Sequence, residues 1–230
     1  MSGLLLSLLL ASAVPADQPV FIVVRPGDTP ESIAELYLQP GEGSEELLLL
    51  NHPLNPNRML ELPAASLRGE HLPRVVSVTG AAVLIPRDQE EEIPLREGAA
   101  LEAGDAIRPF LHGSVGLRFT GDKILILGGP GRLEVLEPGE GNDLRLGLAS
   151  GCLEARWSTT AGKPGVLRVE AGPLGVNCSG GRFRVRAVGG GQVFLEVLEG
   201  EANAEIDGGK RSVPAGFGLT AFSRHGGDKK

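Results

Sequence analysis

Residues 114–127 read Ser-Val-Gly-Leu-Arg-Phe-Thr-Gly-Asp-Lys-Ile-Leu-Ile-Leu, and this stretch shows the pattern of the second half of the chain. Two apolar runs flank a Thr-Gly-Asp-Lys turn, as in a β-hairpin. From about residue 73, similar runs recur roughly every eight to twelve residues, with turn residues between them. The spacing predicts an all-β sandwich or a barrel-like domain over residues 74–222. We expect residues 223–230 to form a flexible tail.

The first part of the chain has a different pattern. A β-branched apolar run at residues 20–24 predicts a strand, and Pro26-Gly27-Asp28 ends it. Thr29 can cap a helix that has Pro30 at its first position. Ser44 can cap a second short helix, and a second strand is expected at residues 59–62. The predicted order is strand, helix, helix, strand, which is a small α+β module over residues 20–65.

Export is predicted from the first sixteen residues. Residues 4–10 form a leucine-rich run that is too short to span a bilayer, and small residues follow it. The pattern indicates a signal peptide over residues 1–16, with cleavage after Ala13 or Ala16. The alternative is a buried helix. No later segment is apolar enough to cross a membrane, so we expect a periplasmic or secreted protein of the cell envelope without a membrane span.

Charge and composition argue against nucleic acid as a partner. The formal net charge is −7, and aromatic residues make up 4% of the chain. Residues 17–69 carry eight acidic and three basic side chains, so this part is also acidic. Binding to phosphate chains needs a basic excess, and single-strand binding needs aromatic platforms. An anionic membrane surface is disfavoured for the same reason.

Two cysteines, Cys152 and Cys178, are the candidates for a disulfide. In an oxidising compartment they could pair and close a loop of 26 residues. The alternative is two separate buried thiols that pack as small hydrophobic groups.

The segment from Val23 to Tyr37 contains Gly27-Asp28-Thr29 followed by Ile33-Ala34 and an aromatic residue. This segment, with the continuation through Glu46-Leu47-Leu48 and Leu50-Asn51, resembles a LysM domain. The resemblance implies binding to peptidoglycan or a related N-acetylglucosamine polymer, in a shallow groove between two loops. By position, it places these residues in the groove: Gly27, Asp28, Thr29 and Pro30 on one wall, and His52, Pro53, Leu54 and Asn55 on the other. The alternative is that Gly27, Asp28 and Thr29 serve only as a turn and a helix cap.

The second half is similar to FecR-type domains. The resemblance rests on an ordered set of segments, which are residues 76–83, 95–107, 114–119, 176–185, 197–202 and 213–216. It implies an all-β domain that can bind a protein partner in the envelope.

No enzymatic activity is expected. The four histidines show no spacing typical of metal ligands, and no nucleophile-elbow or phosphate-loop motif occurs. We therefore predict no catalytic residues, no metal site and no cofactor. The Glu90-Glu91-Glu92 run is interpreted as a solvated surface, and Trp157 as a core residue.

Three functional hypotheses follow. The leading one is an exported peptidoglycan-binding protein whose β-rich domain acts as a scaffold or a partner-binding surface. The alternative is a periplasmic regulatory or signalling protein, in which the FecR-like domain binds a protein and the LysM-like module is structural. The third is an enzyme with an unrecognised site in the β-domain.

Overall fold

The computed structural model describes residues 19–39, 54–56, 58–62, 72–87, 89, 91–119, 123–138, 142–158 and 165–223. These ranges do not include the predicted signal peptide, the second predicted helix after Ser44, the two predicted groove residues His52 and Pro53, or residues 224–230. The described residues form one α-helix, fifteen strands and one 3₁₀ turn at Gly189–Gly191. In chain order these are β1 (Val20–Val23), α1 (Pro30–Tyr37), β2 (Met59–Leu62), β3 (Arg74–Thr79), β4 (Ala82–Ile85), β5 (Ile93–Pro94), β6 (Ala106–Pro109), β7 (Ser114–Phe119), β8 (Lys123–Pro138), β9 (Leu144–Trp157), β10 (Leu167–Ala171), β11 (Leu174–Cys178), β12 (Gly181–Val188), β13 (Gln192–Ile206), β14 (Gly209–Pro214) and β15 (Gly218–Phe222).

The start of α1 is fixed by local hydrogen bonds. The Ser32 amide donates to the Thr29 hydroxyl oxygen at 3.2 Å, and the Thr29 amide donates to the Ser32 hydroxyl oxygen at 3.0 Å. This is a capping box, and Pro30 occupies the first helical turn, where its missing N–H is not needed. The predicted cap and helix start are confirmed.

Strands β1 and β2 pair antiparallel, with Val20 opposite Leu62 and Val23 opposite Met59. The described part of the first module therefore has the expected strand, helix and closing strand. Ile33 of α1 and the inward residues of both strands form a small core of their own. The second predicted helix falls outside the described residues, so the complete four-element module stays a prediction.

The predicted all-β second half is confirmed. In the part of the chain that the structure describes, β3 to β15 belong to one continuous sheet. Three long strands, β8, β9 and β13, each pair with different neighbours along their two halves. The sheet therefore folds into two layers around one core, as long strands that change layers do in sandwiches. Its middle closes into a ring with the order β9, β12, β13, β11 and β10, so the domain has barrel-like character.

We call these layers the first and second layer. The first layer contains β5, β4, β6, the second half of β8, the first half of β9, β10, β11, the second half of β13 and β14. The second layer contains β3, β7, the first half of β8, the second half of β9, β12, the first half of β13 and β15. Alternate residues of both layers point inward into one apolar cluster. Trp157 is in this cluster, stacks on Phe119 with ring centroids 5.7 Å apart and donates from Nε1 to the Gly165 carbonyl at 2.8 Å. The interpretation of Trp157 as a core residue is confirmed.

Glycines occupy the places where the long strands change layers. The register of the β8–β9 pair shifts between Gly128 and Arg132. Gly151 of β9 lies opposite this irregular segment. Gly151 has φ +98°, and a Cβ on it would lie 2.7 Å from the Gly131 Cα. Only a residue without a side chain fits this close approach of two backbones.

Gly151→Ala should therefore destabilise the fold by about 3 kcal/mol, because positive φ and overpacking add at one position. Gly208→Ala is the matched control, since Gly208 also has positive φ (+78°) but has no atom within 4 Å of the place that a Cβ would take. The control should lose only about 1 kcal/mol. Urea unfolding of both variants measures the free energy of unfolding. Equal losses of stability would contradict a steric role for the close approach of Gly151 to Gly131.

Lys123 occupies an inward position at the start of β8 and is only 1% exposed. Its Nζ donates to the Asn142 carbonyl at 3.2 Å and lies 4.7 Å from the Trp157 ring centroid and 5.6 Å from that of Phe119. Burial lowers the pKa of Lys123, although the nearby Asp143 carboxylate opposes this shift. The unfolded chain then binds this proton more tightly than the folded chain does. The lysine therefore costs stability at neutral pH, and the cost falls as pH rises toward its ordinary pKa of about 10.4.

Lys123→Met should be at least as stable as the wild type at pH 7, because methionine fills the aromatic pocket without a desolvated charge. This advantage should narrow by pH 10, which urea unfolding at both pH values measures. Lys210→Met, at an exposed position of β14, should show no such pH dependence. A loss of more than about 2 kcal/mol at pH 7 would show instead that the cation–π contacts outweigh desolvation.

Candidate functional site

The two loops predicted to line a sugar groove emerge at the same end of the β1–β2 pair. The Val24 amide donates to the Arg58 carbonyl at 2.9 Å, so the loop after β1 and the loop before β2 lie side by side. Gly27–Pro30 and the pair Leu54 and Asn55 therefore lie at the same end of the two strands, while His52 and Pro53 lie outside the described residues. A role for these residues in glycan binding stays a prediction.

Most of these side chains also have local structural roles. The Asp28 carboxylate accepts from the Arg25 amide at 2.7 Å, Thr29 belongs to the capping box, and Pro30 begins the helix. Leu54 packs against the small core. Gly27 and Asn55 are exposed, and there is open space around the position that a Gly27 side chain would take. The turn-and-cap alternative therefore accounts for Asp28, Thr29 and Pro30, whereas Gly27 and Asn55 line an open surface.

The first module is joined to the β-rich half by a strip of backbone at residues 98–101. On one side, the Phe21 amide donates to the Gly98 carbonyl at 3.0 Å and the Ala100 amide donates to the Phe21 carbonyl at 2.7 Å. On the other side, the Val75 amide donates to the Ala99 carbonyl at 2.8 Å and the Gly98 amide donates to the Val75 carbonyl at 2.7 Å. The strip thus lies between β1 and β3 and links the small sheet to the large one. Nothing in the local sequence pattern indicates this pairing, because its partners are far apart along the chain.

A cluster of charged side chains lies beside the strip. The Arg25 guanidinium donates to Glu102 Oε2 at 2.8 and 3.0 Å and to Asp105 Oδ1 at 3.0 Å. The Tyr37 hydroxyl donates to the other Glu102 oxygen. Asp105 is 1% exposed and also accepts from the backbone amides of Arg87 and Glu102. Burial raises the pKa of Glu102, although Arg25 counteracts this shift. The cluster therefore ties side chains of the first module to the turn before β6.

The outer face of the second layer carries a second set of charges, which we call the arginine face. Its charged side chains project from three neighbouring strands because the residues between them point into the core. The face is defined by Glu154, Arg156, Arg182, Arg184, Arg186 and Glu196.

Glu154 organises the centre of the arginine face. Its Oε1 accepts from Arg182 at 2.6 and 2.9 Å, and its Oε2 accepts from Arg184 at 2.8 Å. Arg184 also donates to Glu196 at 3.1 Å. Burial by itself would raise the pKa of Glu154, but the hydrogen bonds from Arg184 and Arg182 outweigh it and hold the pKa below its usual value. The carboxylate is therefore ionised at neutral pH and fixes two arginine side chains.

The disulfide predicted between Cys152 and Cys178 does not form, and both thiols are free. Cys152 lies on β9 opposite Arg186 of β12, whereas Cys178 lies on β11 opposite Leu167 of β10. Strands β12 and β13 separate them on one side of the ring. On the other side, across β10, Cys178 is aligned with Leu144 of β9, which is eight residues or about 26 Å along the strand from Cys152. This exceeds the reach of a disulfide, which needs Cα atoms within about 7 Å. The alternative of separate thiols is correct, and burial raises the pKa of both.

Among the described residues, no cluster of three or more His, Cys, Asp or Glu side chains is placed to hold a metal ion. No helix in the described ranges has both the length and the apolar character needed to cross a membrane.

Comparison with known proteins gives a limited result. The chain matches no protein-family model and no curated protein. It is similar to two crystal structures of a "putative anti-sigma factor" from Parabacteroides distasonis ATCC 8503. The identities are 10% and 12%, the TM-scores 0.45 and 0.44, and each match covers 52% of this chain. The match spans just over half the length of those proteins, 56% and 55%. At these values the comparison assigns neither a function nor a partner to this chain.

Arg25→Met should destabilise the protein by about 3 kcal/mol, because it leaves the buried Asp105 carboxylate and the half-buried Glu102 carboxylate without their counterion. Arg145→Met is the control: Arg145 pairs with Glu170 at 2.7 Å on the surface, with 38% of its side chain exposed. Removing such an exposed pair should cost much less than removing Arg25, because solvent screens the interaction. Urea unfolding at pH 7 compares the two variants. Similar small losses of stability in both variants would contradict the conclusion that the Arg25 cluster holds the first module against the β-rich half.

Proposed function

We propose that the protein is a regulatory or signalling protein of the cell envelope whose β-rich half binds a protein partner. The N-terminal module serves in this proposal as a structural extension of the sheet. The observation that carries the proposal is the strip at residues 98–101, which is hydrogen-bonded to β1 on one side and to β3 on the other.

The geometry supports this role in two ways. The strip and the Arg25 cluster hold the module in a fixed orientation, whereas a wall anchor that works independently of its cargo is expected on a flexible linker. Among the described residues, nothing packs on the outer face of the second layer, and this face exposes charged side chains. Such a face is suited to contact another protein over a large area.

A second candidate function is binding to an N-acetylglucosamine polymer. It is supported by one observation: the Gly27–Pro30 loop and the segment with Leu54 and Asn55 leave the β1–β2 pair at the same end. Exposed backbone groups at such loops can pair with the acetamido groups of a sugar.

A two-arm experiment separates these functions. In-cell cross-linking of the full-length chain, with mass spectrometry of the products, should give one stoichiometric protein partner. Purified sacculi should retain the purified chain no better than they retain an unrelated acidic protein, because the cap residues of the groove are engaged in local structure.

Retention on sacculi without any cross-linked protein would contradict the proposal and favour the glycan function. In that case Asn55→Ala should reduce retention. Asn203→Ala, at an exposed position of β13 in the other half of the molecule, should leave it unchanged.

A further inference from the structure

We propose that the arginine face is the docking surface for an extended acidic segment of the protein partner. This inference rests on the proposed function and names the surface and the chemistry of the partner. The face carries four arginines and two glutamates, and a third glutamate, Glu199, lies 3.7 Å from Arg182 at its edge, so the arginines remain in excess, whereas the whole chain has a formal net charge of −7. A positive face on an acidic protein steers acidic partners to itself and repels other copies of the same chain from most approaches.

Two of the arginines have charge available for a partner. Arg182 and Arg184 are held by Glu154, while Arg156 and Arg186 are exposed and form no ion pair within the described ranges. The guanidinium of Arg186 lies 4.6 Å from the Phe194 ring centroid, so the ring supports it in a defined position. The ion pairs fix Arg182 and Arg184, and the stacking fixes Arg186, before any partner arrives, which reduces the entropy lost on docking.

The spacing of the two available charges fits an extended chain. Arg156 lies opposite Arg182 across the β9–β12 pair, and Arg186 is four residues further along β12. Four residues of a strand span about 13 Å, and neighbouring strands are about 4.8 Å apart, so the two backbone positions are about 14 Å apart. An extended segment with carboxylates at positions i and i+4 matches this distance.

Apolar side chains border the arginine face on both sides. Ile124 and Ile126 of β8 lie opposite Arg156 and Glu154, and both are half-buried. On the other side, Phe194 lies in β13, and Phe222 of β15 is 63% exposed. Arginine with aromatic and aliphatic neighbours is the composition of energetic centres in protein interfaces. The partner segment should therefore carry apolar residues between its acidic ones.

This pattern favours a protein segment over a polyanion such as nucleic acid. A phosphate chain presents the same charge at every repeat, and it would meet the carboxylates of Glu154 and Glu196 in the middle of the face. A protein segment can place its carboxylates at the two available arginines and apolar groups elsewhere.

The test uses the purified full-length chain and a fluorescent ten-residue peptide with Glu at positions i and i+4 and Leu or Val between them. Fluorescence anisotropy should show saturable binding. The double variant Arg156→Glu/Arg186→Glu should bind at least roughly tenfold more weakly, because two charge contacts become repulsive. The matched control Lys210→Glu/Arg211→Glu makes the same charge change at exposed positions of β14 and should bind like the wild type. The same peptide with Lys in place of Glu should bind the first double variant better than it binds the wild type.

Cys152 provides a second measurement that needs no variant. It lies at the edge of the face opposite Arg186 and is partly exposed, whereas Cys178 is buried. Bound peptide should slow the reaction of Cys152 with a maleimide and leave the rate at Cys178 unchanged.

Three results would overturn the inference: no binding of the Glu peptide to the wild type up to about 1 mM, equal binding by the two double variants, or equal binding of a twelve-nucleotide oligothymidylate. In-cell cross-linking distinguishes failure of the inference from failure of the proposed function. If the Arg156→Glu/Arg186→Glu variant still cross-links to the protein that the wild-type chain captures, the arginine face is not the docking surface, and the proposed function stands. If the wild type has no protein partner, the function itself is wrong.

Discussion

The architecture depends on the backbone hydrogen bonds of residues 98–101, which pair with β1 on one edge and β3 on the other. Without this strip, the β1–β2 pair would be an isolated two-stranded sheet, which is marginally stable in water. With it, the pair becomes the margin of a much larger sheet. Side-chain hydrogen bonds also stabilise this connection, because Arg25 and Tyr37 of the first module both donate to Glu102, which follows the strip.

The second requirement is that three long strands serve two layers. Strands β8, β9 and β13 each contribute to both layers. The two layers therefore belong to one continuous sheet that encloses one apolar core. Glycines make the crossings possible where backbones approach closely, as at Gly151. The outward residues of the second layer are then presented on a rigid surface, and the arginine face is a direct consequence of this layer having nothing packed on its outside among the described residues.

Local features of the fold are predictable from the sequence, and nonlocal ones are not. The alternation around Phe119 and the Thr29 cap are encoded within a few residues, so the β-rich character of the second half and the helix start are correctly predicted. Pairing between residues as distant as Phe21 and Gly98 has no local signal, and the sequence pattern therefore predicts two separate modules. The disulfide prediction is wrong for a related reason. The sequence separation of Cys152 and Cys178 is compatible with a loop, but the strand order that keeps them apart is a property of the whole ring.

The arginine face has a partial signal in the sequence. Residues 182–186 read Arg-Phe-Arg-Val-Arg, which places three guanidinium groups on one side of a strand and two apolar groups on the other. The glutamates that pair with these arginines, Glu154 and Glu196, come from strands on either side and cannot be assigned from this pattern alone.

The continuity of the sheet also connects the two candidate surfaces. From the Gly27–Pro30 loop, backbone pairing runs through β1, the strip, β3, β7, β8 and β9 to β12 without interruption. Two surfaces on one hydrogen-bonded sheet keep a fixed distance and orientation, because neither can move without breaking several backbone hydrogen bonds in a packed layer. A partner that docks on the arginine face therefore also fixes the direction in which the Gly27 loop points. In the proposed docking, the N-terminal module is an oriented extension of the sheet that carries the arginine face.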